Sequence, residues 1–206
     1  MAKDFLRACV VASAVAVFSA GTVPAAASDE EIAAGLATVG QNAGLGQYED
    51  AWNALDEVET ALWEKRPLGL SASLFVTGPA AGYGLYTPRE SDTFGKGETV
   101  FVYLQPVGYG YERAEDLYRI SMTADFELRT PTGQILAEEE GFSQLSLESR
   151  APNREFQASF SFVFENLEPG RYTLLIRLRD ETAGEQTETG LPFSISAEPD
   201  AEQTNE

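Results

Sequence analysis

The side chains able to do chemistry in this chain are almost all carboxylates. There are 33 Asp and Glu against 14 Lys and Arg, no histidine, and a single cysteine, Cys9. Without imidazole, Ser-His-Asp and Cys-His catalysis lack their general base. The ordinary zinc, copper and haem sites lose their usual ligands for the same reason. Carboxylate chemistry and oxygen-ligated calcium remain, and so does no chemistry at all. Glu138-Glu139-Glu140 is a weak calcium candidate, alongside Glu112/Glu115/Asp116 and Asp180/Glu181. None has the alternating spacing of a dedicated calcium loop. A solvated run of charge is the preferred reading, and no cofactor is expected. Two neighbouring carboxylates can make a glycosidase, but nothing in the sequence selects a pair.

A second composition recurs in two loops, Gly82-Tyr83-Gly84-Leu85-Tyr86 and Val107-Gly108-Tyr109-Gly110-Tyr111. Glycine lets the backbone approach a partner closely, and tyrosine supplies a broad apolar ring with a hydrogen-bonding tip. Tyr83, Tyr86, Tyr109 and Tyr111 are therefore the candidate binding residues. Arg89 joins them because its planar fork can clamp a carboxylate. The competing reading packs the same tyrosines over a sheet edge and under the helices, and pairs the arginines with this chain's own acids.

The formal charge is −19. Such a field keeps a chain soluble and repels nucleic acid and anionic surfaces. Lys3 and Arg7 precede an apolar, small-residue run, Ala8 to Ala20, and Ala25-Ala26-Ala27 then leads into Ser28-Asp29-Glu30. That is the pattern of a signal peptide cleaved after residue 27, and the run is shorter than a membrane span needs. The expectation is a periplasmic or secreted protein with no membrane span after cleavage. Beyond the leader there is no cysteine, so the fold must hold by packing alone.

Along the chain the apolar period is helical first. Ser28 or Asp29 caps a helix with Ile32, Leu36 and Val39 on one stripe. A second helix runs from about Gln47 to Glu64 and is ended by Pro67. Its apolar stripe is Tyr48, Trp52, Leu55, Val58 and Leu62. In its Gly-x-Tyr-x-x-Ala start and closing proline it resembles the later helix of a tetratricopeptide repeat, but no second copy follows. Residues 28–67 are read instead as a helical hairpin that docks this stripe on the next domain. From Leu70 the period becomes two. Glu98 to Gln105 is apolar on both faces, and the docked hairpin is the expected second cover. Leu117 to Arg129 turns Ile120, Met122, Ala124, Phe126 and Leu128 inward. Gln134 to Ala137 is a short strand followed by a poorly patterned stretch up to Asn153. Arg154 to Glu165 alternates cleanly through Phe156, Ala158, Phe160, Phe162 and Phe164. Residues 196–206 are acidic and almost free of large apolar side chains, so disorder is expected there.

The last hairpin, Leu167 to Ile195, carries a family resemblance. Leu167-x-Pro169-Gly170-x-Tyr172 followed by an alternating strand resembles the tyrosine corner of fibronectin type III and related immunoglobulin-like domains. The resemblance implies a seven- to eight-stranded antiparallel β-sandwich over residues 70–195, with the Tyr172 hydroxyl bonded back to the preceding turn. It implies little about function. The expected role is non-enzymatic binding of an envelope protein or a glycan through the Gly/Tyr loops. The alternatives are a carboxylate-dependent glycan hydrolase, and an accessory subunit or chaperone that offers an edge strand, against which Pro192 argues.

Overall fold

A computed structural model describes residues 27–197 and, before them, the two-residue strand β1 (Leu6–Arg7). The rest of the expected leader, and the expected acidic tail from Glu198 onward, lie outside the described residues. Helix α1 (Asp29–Gly44) starts on a capping box. The Ser28 hydroxyl accepts from the Glu31 amide at 3.2 Å, and the Glu31 carboxylate accepts from the Ser28 amide at 2.6 Å, so two orphan donors are satisfied reciprocally. Helix α2 (Tyr48–Lys65) follows after a Leu45–Gly46 turn and stops before Pro67. The two run antiparallel. Their seam is made by Ile32, Ala51 and Val58, all buried. Gly35 is required at that crossing, because a Cβ there would sit 2.5 Å from Cγ2 of Val58.

Nine further strands form the body: β2 (Gly69–Val76), β3 (Thr93–Phe94), β4 (Thr99–Val107), β5 (Glu112–Ala114), β6 (Leu117–Arg129), β7 (Ile135–Ser149), β8 (Ala158–Phe164), β9 (Gly170–Asp180) and β10 (Gln186–Ile195). One sheet has the order β1-β8-β4-β2. The other has the order β3-β10-β9-β6-β5, with β7 on the remaining edge of β6. Pairing is antiparallel except for β3, which joins β10 in parallel. Strands make up 47% of the described residues, so the chain is mainly β, with two N-terminal helices.

The core lies between the sheets where period-two strands turn their apolar residues inward. Ile120, Met122, Ala124, Phe126 and Leu128 of β6 face Phe160, Phe162 and Phe164 of β8, and all are buried. The rings meet mainly edge-on, Phe126 and Phe162 at 5.3 Å between centroids, the arrangement their quadrupoles favour. Outside, arginines of β9 pair with acids on both neighbouring strands. Arg177 reaches Glu188 of β10 at 2.7 Å and Glu127 of β6 at 4.0 Å. Such exposed pairs contribute little individually. They set cross-strand register more than stability.

Several expectations change. The arrangement is not an immunoglobulin-like or fibronectin type III sandwich, because one sheet is a strongly curled, mixed half-barrel. The tyrosine corner itself is present, with the Tyr172 hydroxyl donating to the Glu168 carbonyl at 2.7 Å, but a local turn does not dictate how two sheets close. The bulge in the β6–β7 ladder shows one source of curl, since an extra residue bends and twists a strand. There Gly141 takes φ +64° and its amide donates to Asp125 at 2.6 Å. Asp125, expected to face outward, is buried, and Arg179 lies 3.1 Å from its other oxygen. The same bulge explains why residues 135–149 form one long strand where the sequence shows only a short strand and a patternless stretch. Three residues, Glu140 to Phe142, stand there against Asp125 alone, and the consecutive burial of Phe142 and Ser143 interrupts the alternation halfway along.

The hairpin also sits differently. The stripe expected to dock is exposed except at Val58, and the hairpin meets the body at the C-terminal end of α2. The outer face of β4 is covered by the Gly82–Tyr86 loop instead. The Tyr103 hydroxyl accepts the Gly84 amide at 2.7 Å, and the Tyr86 ring lies 4.1 Å from that of Tyr103.

Candidate functional site

The two Gly/Tyr loops have different jobs in the fold. In the first, Gly84 at φ +69° turns the backbone over Tyr103. Tyr83 and Tyr86 are half-buried in the layer this makes, while Leu85 is left exposed. Arg89, just beyond, is engaged by its own chain. It donates to the Ser91 and Thr93 carbonyls at 2.9 Å each, reaches Glu98 at 2.6 Å, and lies over the Phe94 ring at 4.2 Å. A guanidinium so occupied staples the 85–98 segment to β3.

The second loop is the socket for the helices. Tyr109 is 1% exposed, and its carbonyl accepts from Nε1 of Trp63 at 2.9 Å. Its ring meets those of Trp63 and Phe156 edge-on at 5.0 and 5.8 Å. The hydroxyls of Tyr109 and Tyr111 both donate to the Asn153 carbonyl at 2.9 Å. Burial pushes the Tyr109 phenol well above the ordinary tyrosine range, with Tyr111 and Tyr83 adding to the shift. Burial also pushes Tyr111 up to about 12, against a lowering by Arg154. On the other side the Gly110 amide donates to buried Asp180 at 2.6 Å. Tyr109 is thus turned inward, beneath the helix end, where a partner does not reach it.

Glu138, Glu139 and Glu140 lie exposed along β7, with Glu138 directly opposite Glu127. No group of His, Cys, Asp or Glu among the described residues is arranged to hold a metal ion. A cavity of about 370 Å³ opens at the other end of β6, lined by Leu128, Leu136, Phe164, Leu167 and Tyr172 with Glu165 and Glu168 among its walls. Its lining is mostly apolar, and Leu128, Phe164 and Leu167 join it to the core.

The surface with most unmet burial is on the hairpin. Tyr48 and Trp52 are 74% and 70% exposed, and Leu36, Leu55 and Leu62 between 39% and 50%. Successive helical residues turn by 100°. The α2 seam positions 51, 54, 58 and 61 therefore place residues 48, 52, 55, 59 and 62 on one flank. On antiparallel α1 the seam positions 32, 35, 39 and 42 place Asp29, Ala33, Leu36, Gly40 and Ala43 on that same flank, with Asp29 at its base paired to Lys65 at 2.9 Å. The opposite flank carries Glu31, Gln41, Asp50, Asn53, Glu57 and Glu64. Glu59 is the one carboxylate among the apolar α2 positions, and Arg154 of the body answers it at 3.2 Å. The hairpin is two-faced, with its apolar face toward solvent.

The sequence shows this face as the Tyr48–Leu62 stripe, whose apolar character suits docking on the body, yet the structure leaves it in solvent. The contrary signal lay one position away. Ala51, Ala54 and Ala61 with Gly35 form a small-residue stripe that lets the two helices approach closely and makes them each other's partner.

No protein-family model matches the chain, and no curated protein matches it. Among solved structures the chain is similar to the sporulation control protein Spo0M of Bacillus subtilis, at TM-score 0.32 and 8% identity. That match covers 65% of this chain and 51% of the other, so this chain spans about half the length of that protein. A likeness this slight carries neither a fold family nor a role.

Proposed function

We propose that this chain is a non-enzymatic interaction protein, exported through a leader cleaved after residue 27, which docks a protein partner on the apolar face of its helical hairpin. The observation that carries the reading is the alignment of Tyr48, Trp52, Leu55 and Leu62 on one solvent-facing flank of α2. An amphipathic helix that shows its apolar side to water is the usual element of helix-in-groove recognition. Exposed contiguous apolar surface on a soluble protein marks such sites. The body serves as a mount: Trp63, Tyr109 and Arg154 fix the base of α2 and leave its length free. A protein suits this face better than a glycan, because the face offers few hydrogen-bonding groups to sugar hydroxyls.

The test is recovery of partners from envelope extract by the wild-type chain and by Trp52→Glu. Trp52 is exposed, so the substitution leaves the fold intact. Loss of a recovered protein with the variant supports the reading, and identical recovery by both proteins defeats it.

A further inference from the structure

We infer that the partner seated on the hairpin face is a second copy of this chain, the two hairpins closing into an antiparallel four-helix bundle about a two-fold axis. The inference rests on the docking reading above and commits it to one occupant. Three observations point to self-association.

The first is shape. A two-fold interface must be self-complementary, each copy offering what the other lacks. This face is divided that way by helix. Helix α2 presents large side chains, Tyr48, Trp52, Leu55 and Leu62, over roughly 21 Å of its length. Helix α1 presents small ones, Ala33, Gly40 and Ala43, around Leu36. Laying α2 of one copy along α1 of the other puts large residues into the shallow row, twice over.

The second is charge. The chain is strongly acidic, with a formal charge of −19, and a cationic partner would seek its carboxylates. On the hairpin Glu31, Asp50, Glu57 and Glu64 lie on the opposite flank, and Glu30, Glu49 and Asp56 on the side turned away from the seam. The apolar face has two carboxylates, Asp29 and Glu59, and both are already paired within the chain, with Lys65 at 2.9 Å and Arg154 at 3.2 Å. A membrane surface fits no better, because no row of Lys or Arg borders the face to meet anionic headgroups.

The third is area. Aromatic side chains each bury roughly 150–250 Å² when covered. At their observed exposure Tyr48 and Trp52 together bring roughly 300 Å², and the leucines and small residues take the total toward the roughly 800 Å² per partner of a standard interface. The two helices alone have a thin seam, with only Ile32, Ala51 and Val58 buried. Completing a four-helix core is the ordinary way such a half-bundle is closed.

The test is sedimentation equilibrium of the purified full chain across about 1–100 µM, a range that brackets micromolar dissociation constants. The wild type is expected to be dimeric at the upper end. Trp52→Glu on the large row and Ala33→Glu on the small row should each weaken dimerisation at least about a hundredfold, with an unchanged circular dichroism spectrum. Glu57→Lys on the opposite flank should leave it unchanged. A wild type that stays monomeric at about 100 µM overturns the inference, and so does a dimer that survives both glutamates. If the wild type is monomeric while Trp52→Glu still loses a protein from extract, the face is a docking surface and only its occupant was misassigned. If neither measurement responds, both readings fall.

Discussion

Nε1 of Trp63 donates to the carbonyl of Tyr109 at 2.9 Å while the two rings meet edge-on at 5.0 Å. This relationship holds the helical hairpin to the β body, and it decides which surfaces are left for a partner. Trp63 lies in the last turn of α2, so the joint fixes the base of the hairpin and leaves Tyr48 and Trp52, near the far end, in solvent. Trp63→Phe keeps the ring and removes the bond, and should cost about 1 kcal/mol. Trp63→Ala should cost about 2–3 kcal/mol and loosen the hairpin. Trypsin should then cut faster after Lys65, in the last turn of α2, than it does in the wild type; the Arg66–Pro67 bond is closed to trypsin in either protein.

Gly108 and Gly84 both have positive φ, +75° and +69°, yet they should respond differently to alanine. A Cβ on Gly108 would stand 2.4 Å from the Pro67 carbonyl oxygen and 2.6 Å from that of Arg66, whereas nothing lies within 4 Å at Gly84. Gly84→Ala should therefore cost only the left-handed backbone penalty, about 1–2 kcal/mol. Gly108→Ala adds a clash with backbone that cannot give way, and on the order of 3 kcal/mol or more is expected. Urea unfolding midpoints of the two variants compare them directly.

Asp180 is 2% exposed and accepts three backbone amides, from Gly110, Thr182 and Ala183. It ties the socket loop to the turn between β9 and β10. Asp180→Ala strands all three donors and should cost about 2–4 kcal/mol. Asp180→Asn can satisfy one side of the carboxylate pattern and sets an NH₂ group against an amide on the other, so its cost should fall between wild type and alanine. Thermal unfolding orders the three proteins.

The buried phenols of the socket give a pH dependence at the alkaline end. Tyr111 has a folded-state pKa of about 12 against an ordinary value of 10.0, and Tyr109 is raised as well. Between these values the unfolded chain releases a proton that the folded chain keeps, so unfolding is favoured as pH rises. Stability should be full below about pH 10 and fall through about pH 12. The Tyr111 contribution, discounted for partial exposure, is roughly 1–2 kcal/mol. In Tyr111→Phe the alkaline decline should be shallower. An unchanged slope in the variant would show that this phenol does not titrate with unfolding.

The elements with undisturbed periodicity were legible from residue order. Strand β8 turns Ala158, Phe160, Phe162 and Phe164 inward and β6 turns Ile120 to Leu128 inward, because alternation is a local property of an extended chain. Both helices were legible too, with Ser28 and Glu31 forming the expected cap. Strand β7 was not, because Gly141 and the pocketed Asp125 carboxylate break its alternation at a bulge that depends on a neighbouring strand. The candidate binding residues divide in the same way. Composition placed Tyr109, Tyr111 and Arg89 in a recognition surface, yet their hydroxyls and guanidinium are satisfied by Asn153, Ser91, Thr93 and Glu98. A side chain's type says what it can bond, and only its neighbours say whether it already has.

What the amino-acid order determined by itself was the set of local choices. It set the caps and periods of the elements, the missing imidazole that narrows the chemistry, and the apolar stripe on α2. Tertiary structure alone decided where that stripe points. A stripe of Tyr48, Trp52, Leu55 and Leu62 is equally good for packing on a sheet or for facing outward. The choice fell to the closeness that Gly35 and the alanines allow between α1 and α2, and to the bond from Trp63 to Tyr109. Both are contacts between residues distant in sequence: the alanine stripe permits a close approach, but which surface takes it up is settled only when the chain is folded.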